Sequence, residues 1–385
     1  MATSDPKIIS ELLLAAARHK SGADWFDQHK PAEVDWSIAI DRARDHGVMP
    51  LLNHMLAPQS QVVGDRLQPL MQSVRLNHMR NMQLLAELRK LNGLLRAAGV
   101  RMLPYKGPTL ALIAYGDLSL RMAGDLDLLV APADIPAAEQ VLTANGYVRD
   151  AGQADADHAS AHDHHLSFTH PERRIMIELH WRVVGELFSF EPEFDALWER
   201  GSYLTVADDQ LRIMSPEDTL VVLAAHGMKH FWSRLGWICD IAELVRRFTP
   251  EQWDSALARA KELGGQRIVA LAVQLANDVC QANGPKMSRS ICKRSAQLQR
   301  HLFRHRDDES VVSRGMRMEL AGGGRLSSLL FHLRMRERGR DGWKYVFHRV
   351  FTPTAIEREW INLPWFLKPL YFTVRPIRLV AQKFA

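Results

Sequence analysis

The chain has 385 residues, of which 46% are apolar and 24% charged, with a formal net charge of +5. That length buries a real core and suits two or three domains, and the composition is ordinary for a soluble globular protein. No apolar run reaches the ~18 residues that cross a bilayer, no secretory signal is visible, and Cys239, Cys280 and Cys292 are too few and too widely spaced for a disulfide framework or a cysteine zinc site.

In chain order, residues 1–98 read as a helical N-terminal region. Ile8 to Ala17 has helical apolar spacing, and Val74 to Ala98 is a longer amphipathic stretch (Leu76, Met79, Met82, Leu84, Leu88, Leu91, Leu95) stopped at Gly99. The period then changes. Val100 to Lys106 reads as a strand, Gly107-Pro108 as a strand-to-helix turn, Thr109 to Tyr115 as a helix, and Asp125 to Val130 as a second strand. Asp134 to Asn145 is the next helix, 147–170 an irregular His-rich connection, and Arg174 to Trp181 a third strand. These elements define an α/β core over 99–183. Ser215-Pro216-Glu217-Asp218 is a strong helix start within a helical domain over 184–321. Gly322-Gly323-Gly324 is the clearest linker, and 325–385 forms a basic, aromatic C-terminal subdomain. The fold class is therefore α+β, with a small mixed β-sheet embedded between helical N-terminal and C-terminal regions.

Asp125 and Asp127 lie two apart, which on a strand puts both carboxylates on one face, where a hard divalent cation relieves their repulsion. Leu128-Leu129-Val130 follow, so the acids stand at the start of a buried strand, where a charge is costly unless paired or metal-bound. Glu178 sits in a period-2 strand with Met176 and His180 on its face. If that strand pairs beside the Asp strand, Glu178 completes a three-carboxylate cluster able to hold two magnesium ions. His180 would then orient a carboxylate or act as a base. Lys106-Gly107-Pro108-Thr109 lies upstream, where a glycine at a helix N-terminus lets phosphate approach the backbone and Lys106 or Thr109 touch its oxygens. Arg121 stands just ahead of the acids. His226, Lys229 and His230 share a helix face at i, i+3 and i+4, extended by Arg234. They read either as a hand for the triphosphate or as a polar face packed on the α/β core. His158, His162, His164 and His165, with Asp155, Asp157 and Asp163, read as a loop at the site entrance rather than a zinc site.

The run Leu103 to Leu112, then Tyr115-Gly116-Asp117, Arg121 and Gly124 to Val130, resembles the nucleotidyltransferase superfamily of polymerase-β-like fold. More narrowly it is similar to the uncharacterised nucleotidyltransferase family of bacteria. Ile177 to Trp181, Ser215 to Asp218, His226 to His230, Arg234, Trp237 and Asp240 also fit, so the resemblance covers about 75–250. It implies a magnesium-dependent transfer of a nucleoside monophosphate from an NTP to an acceptor. Asp125 and Asp127 would match the metal-binding acids, Glu178 the third acid, and Gly107 the glycine of the nucleotide turn. Lys106, Thr109, Arg121, His226, Lys229 and His230 are the other candidate nucleotide contacts. Pro108 departs from the Gly-Gly or Gly-Ser common at that turn and removes a backbone donor.

The acceptor stays open among a small molecule, a saccharide, a protein and tRNA. A binding or scaffold protein at a membrane-associated polysaccharide assembly, or a toxin-like transferase acting on tRNA, are the alternatives. Residues 325–385 hold twelve Lys/Arg against four acids, so the tail carries +8 and the rest of the chain −3. Its aromatics read first as the packing of a helical subdomain and next as a membrane-surface contact. The expected location is cytoplasmic, with peripheral contact at the inner membrane face as an added reading.

Overall fold

A computed structural model of the chain describes residues 6–150, 164–184, 190–285, 325–353 and 370–381, with scattered positions beside them. The N-terminal region folds as helices α1 (Pro6–Ala17), α2 (Gly22–Phe26), α3 (Trp36–Asp45), α4 (Met49–Leu56), α5 (Ser60–Val63) and the long α6 (Gln68–Ala97). Asp35 starts α3 by accepting hydrogen bonds from the backbone N–H groups of Ser37 and Ile38. The apolar face of α6 divides in two. Leu84, Leu88, Leu91 and Leu95 are buried with the sheet, whereas Leu76, Met79 and Met82 face solvent.

The sheet contains β1 (Met102–Pro104), β2 (Leu126–Val130), β3 (Val148–Arg149), β4 (His165–His170) and β5 (Ile175–His180), in the order β1-β2-β5-β4-β3. Only β2 and β5 run parallel; the other neighbours are antiparallel. Helices α7 (Gly107–Leu110) and α8 (Ile135–Ala144) connect its strands, and a π-helical turn carries α7 on to Tyr115. The irregular connection expected over 147–170 is corrected by β3 and β4. His165, Ser167 and Thr169 alternate with Leu166, Phe168 and His170 along β4, and the apolar pair enters the core. Period-2 alternation explains the sheet's two faces. Leu126, Leu128 and Val130 of β2 and Ile175, Ile177 and Leu179 of β5 pack into the core with α6. Asp127, Glu178 and His180 therefore point to the opposite face.

Beyond the sheet come α9 (Phe194–Arg200) and, inside the expected helical domain, a hairpin of β6 (Ser202–Val206) and β7 (Asp209–Ile213) whose turn carries no glycine or proline. A helical layer follows: α10 (Pro216–Lys229), α11 (Leu235–Arg247), α12 (Pro250–Leu263) and α13 (Gln266–Cys280). Ser215 caps α10 as expected, its hydroxyl accepting from the Asp218 N–H at 3.1 Å. The tail supplies α14 (Arg325–Met335), α15 (Gly339–Phe351) and α16 (Tyr371–Ala381). The Gly322–Gly324 linker lies outside the described residues. The architecture is the expected α+β one, a small mixed sheet between helical regions.

Candidate active site

The polar face of the sheet forms the floor of a cleft of about 570 Å³. One wall comes from α10 and α11 and another from the end of α3, so three separate stretches of chain enclose it. In β2 and β5 the register pairs Asp127 directly with Glu178 and Leu129 with His180. The strand pairing on which a role for Glu178 depended is therefore present. Asp125 sits one residue ahead of β2 and also lines the cleft.

Asp127 is 4% exposed, and a carboxylate buried that deeply must be compensated. Lys106 Nζ lies 2.9 Å from its Oδ1 and His180 Nε2 lies 3.2 Å from the same oxygen. Burial acts to raise its pKa, but the Lys106 ammonium and the His180 contact outweigh burial and hold the carboxyl far below the usual range. His180 Nε2 also stands 3.1 Å from Glu178 Oε2, a contact that lowers the Glu178 pKa. Asp125 moves the other way. Burial, then the charges of Asp127 and Glu178, push its carboxyl up to about 6. The cluster thus holds more negative charge than Lys106 neutralises, and divalent cations suit such sites.

The donor set sorts by chemistry. Asp127, Glu178 and His180 each offer a ligand atom, all within 4.8 Å of one another. Oxygen donors from Asp125, Asp127 and Glu178 suit magnesium, whereas an imidazole suits softer divalent metals better. His180 Nε2 stands between the two carboxylates, 3.2 Å from Asp127 and 3.1 Å from Glu178.

The glycine turn is built for close approach. Gly107 has φ +57°, a left-handed backbone, and a Cβ placed there would lie 3.0 Å from the Asp125 carbonyl oxygen. No side chain fits without strain, and Gly107 brings its backbone to the edge of the acidic floor. Thr109 departs from expectation. It is buried, is not among the cleft residues, and its hydroxyl donates to the Lys106 carbonyl at 2.7 Å. The expected phosphate contact by Thr109 is therefore replaced by a local brace for the turn, leaving Lys106 and Gly107 at the cleft.

Arg121 is in the cleft, yet its guanidinium clasps Asp240 of α11 through Nε and Nη2 at 2.9 and 3.0 Å. The Tyr115 hydroxyl donates to the same carboxylate at 2.8 Å. Arg121 thus ties the acid-bearing segment to the helical layer. His226, Lys229 and His230 all reach the cleft from α10, with the Trp237 ring packed on both histidines. His226 is kept neutral mainly by burial, then by the nearby Lys106 and His230. Lys229 Nζ lies 3.0 Å from His164 Nε2 across the cleft.

Arg234 lines the cleft by a different route from the expected continuous helix. Phe231 and Trp232 take positive φ, α10 ends at Lys229, and Arg234 becomes the residue before α11. Trp232 folds back onto Gly227, where any side chain would collide with its ring. The structure adds Arg44, His46, Tyr105, His164 and His165 as cleft residues. His164 and His165 belong to the His-rich run, whose polar composition resembles a loop. Arg44 and His46 carried no signal, since only tertiary folding brings the end of α3 to this place. The remaining members of that run, from Asp155 to Asp163, lie outside the described residues.

A mixed sheet presents in-register acids beside a glycine turn, with Lys229 and Arg234 lining the same cleft. The sequence profile of the uncharacterised nucleotidyltransferase family matches residues 32–281, and the chain belongs to that family. An antigenic nucleotidyltransferase-like protein from Paracoccidioides brasiliensis is a similar solved structure, at 16% identity and TM-score 0.32, over 52% of this chain and 97% of that chain. Comparison with curated proteins gives no match.

Proposed function

We propose that this protein transfers a nucleoside monophosphate from an NTP to an acceptor hydroxyl or phosphate. The observation that supports this best is the register match of Asp127 and Glu178, with Asp125 lining the same cleft, its pKa raised to about 6 by burial first and then by their charges. Asp125, Asp127 and Glu178 would hold magnesium, two ions in the usual arrangement, whose charge draws on the triphosphate and favours departure of pyrophosphate. Gly107 admits phosphate to the backbone, and the Lys106 and Lys229 ammonium groups meet the charge that develops on the phosphate oxygens.

The acceptor oxygen forms a bond to the α-phosphorus as the bond from that phosphorus to the bridging oxygen breaks. Asp125, whose carboxyl is raised to about 6, takes the acceptor proton, since the His180 contact lowers the Glu178 pKa and makes that carboxylate the weaker base. His180 holds Asp127 and Glu178 in place, and Arg121 fixes the acid-bearing loop through Asp240. The protein's contribution is therefore positioning and charge compensation rather than covalent chemistry.

The test is pyrophosphate release from each NTP with magnesium and cell extract as the source of acceptor, alongside nucleotide binding read by thermal shift. The expected result is turnover by the native chain and a drop of about a thousandfold in Asp125→Asn and Asp127→Asn, with the fold retained in Asp125→Asn. Equal release from native and variant proteins, or failure of every NTP to bind, overturns the reading.

A further inference from the structure

The tail carries a feature that the cleft does not explain. Helix α15 turns Asp341 and Tyr345 inward, both buried. At i, i+4 and i+8 on another face it exposes Trp343, Phe347 and Phe351, with Trp343 78% and Phe347 57% accessible. The Phe347 and Phe351 rings lie 5.0 Å apart, so the stripe is continuous along the helix. Helix α16 packs on α15 and exposes Phe372 and, at 62%, Ile377; Leu370 just before it is exposed as well. Large apolar side chains left in water this way mark an interaction surface.

Arg340 and Lys344 are exposed beside Trp343 in the same helix. Twelve cations and four acids give residues 325–385 a charge of +8, against −3 for the rest of the chain. The excess positive charge thus belongs to the segment that carries the aromatic stripe, and Arg334, Arg340 and Lys344 bring exposed cations to it. Among the described residues no helix is long and apolar enough to cross a membrane, and α15 has 13 residues. A short helix with Trp and Phe on one face and Lys/Arg beside them fits the plane of a lipid–water interface, its rings at the acyl boundary and its cations at anionic headgroups.

We propose that the face formed by α15 and α16 docks on an anionic phospholipid surface, seating the cleft beside a membrane. Lipid fits this face better than nucleic acid. Single-stranded nucleic acid is held by aromatic platforms along a cationic groove, whereas the neighbouring helix and the residue before it expose Ile377 and Leu370, aliphatic groups that do not stack on bases.

The experiment is cosedimentation of the full chain with vesicles of phosphatidylcholine alone and of phosphatidylcholine with phosphatidylglycerol, and a gel shift with tRNA in parallel. Binding is expected to the anionic vesicles only, weakened at high salt, with a blue shift of tryptophan emission. Trp343→Ala/Phe347→Ala should weaken vesicle binding at least tenfold, and Arg340→Glu/Lys344→Glu should weaken it on anionic vesicles. Both pairs lie at exposed positions, and an unchanged circular dichroism melt verifies folding. The proposal is overturned if the native chain fails to sediment with anionic vesicles or if Trp343→Ala/Phe347→Ala binds them as tightly as the native chain. It is also overturned if tRNA binds and displaces the protein from vesicles while the aromatic variant retains both affinities.

Discussion

Asp127 shows how a single residue can be costly to the fold and useful to the chemistry. A carboxylate 4% exposed survives because Lys106 and His180 meet the same oxygen. Removing one partner of a buried pair leaves an uncompensated charge, whereas removing both leaves a hole with little charge in it. Lys106→Met should therefore destabilise by about 3 kcal/mol, and Lys106→Met/Asp127→Asn by clearly less than the sum of the single changes. Urea denaturation of the four proteins measures the coupling, and additive costs would refute the pairing.

Glu191 gives a pH test away from the acidic cluster. Burial pushes its carboxyl up to about 8 from an ordinary value of 4.5, although it accepts the Val183 N–H at 3.0 Å. The folded chain then holds a proton that the unfolded chain loses between those values. Stability from this residue is complete below pH 4.5 and falls as pH rises through about 8. Glu191→Gln keeps the acceptor and abolishes the titration. It should gain about 2–4 kcal/mol at alkaline pH and nothing at acid pH, allowing for solvent screening. Melting temperatures of both proteins across that range decide it, and a gain independent of pH would count against the assignment.

At the scale of elements, the parts readable in advance were those whose apolar pattern repeats. β5 alternates Ile175, Ile177 and Leu179 with Met176, Glu178 and His180, so both the strand and the face bearing Glu178 were visible from spacing. β4 has the same alternation but only Leu166 and Phe168 declare it. Its other face carries His165, which lines the polar cleft, with Ser167 and Thr169, so its composition resembles a loop. The β6–β7 hairpin turns at Ala207 with φ +50°, a left-handed position without the glycine that would have announced it. The same holds for Phe231 and Trp232, which end α10 without a glycine or proline. The clasp of Arg121 on Asp240 joins residues 119 apart, and no local pattern encodes it. The acids, the glycine turn and the polar face of α10 could be singled out from residue type and spacing alone, and all three line one cleft. Their mutual placement by α11 could not be read that way.

The whole molecule treats the sheet as one layer of a larger body. Leu84 to Leu95 of α6 fill the same core as β2 and β5, together with Leu211 and Ile213 of the hairpin. On the polar side Leu103, Tyr105, Leu110 and Leu129 share a core with α10, α11 and α13. The cleft likewise needs Arg44 and His46 from one side and Lys229 and Arg234 from the other. Residues 99–183 therefore hold the acids yet lack the surfaces that cover both faces of their sheet, and an uncovered apolar sheet face does not sustain a fold. The family match over 32–281 spans α6, the hairpin and the helical layer. A fragment of residues 99–183 should show no cooperative thermal transition and no stabilisation by NTP with magnesium. A fragment of residues 6–285, which keeps α1 against α4 and α13, should melt in one transition and be stabilised by NTP with magnesium. Circular dichroism melts with and without nucleotide compare them. A cooperative, nucleotide-responsive melt of the short fragment would show that the sheet carries its own stability and that the helical layer serves the cleft alone.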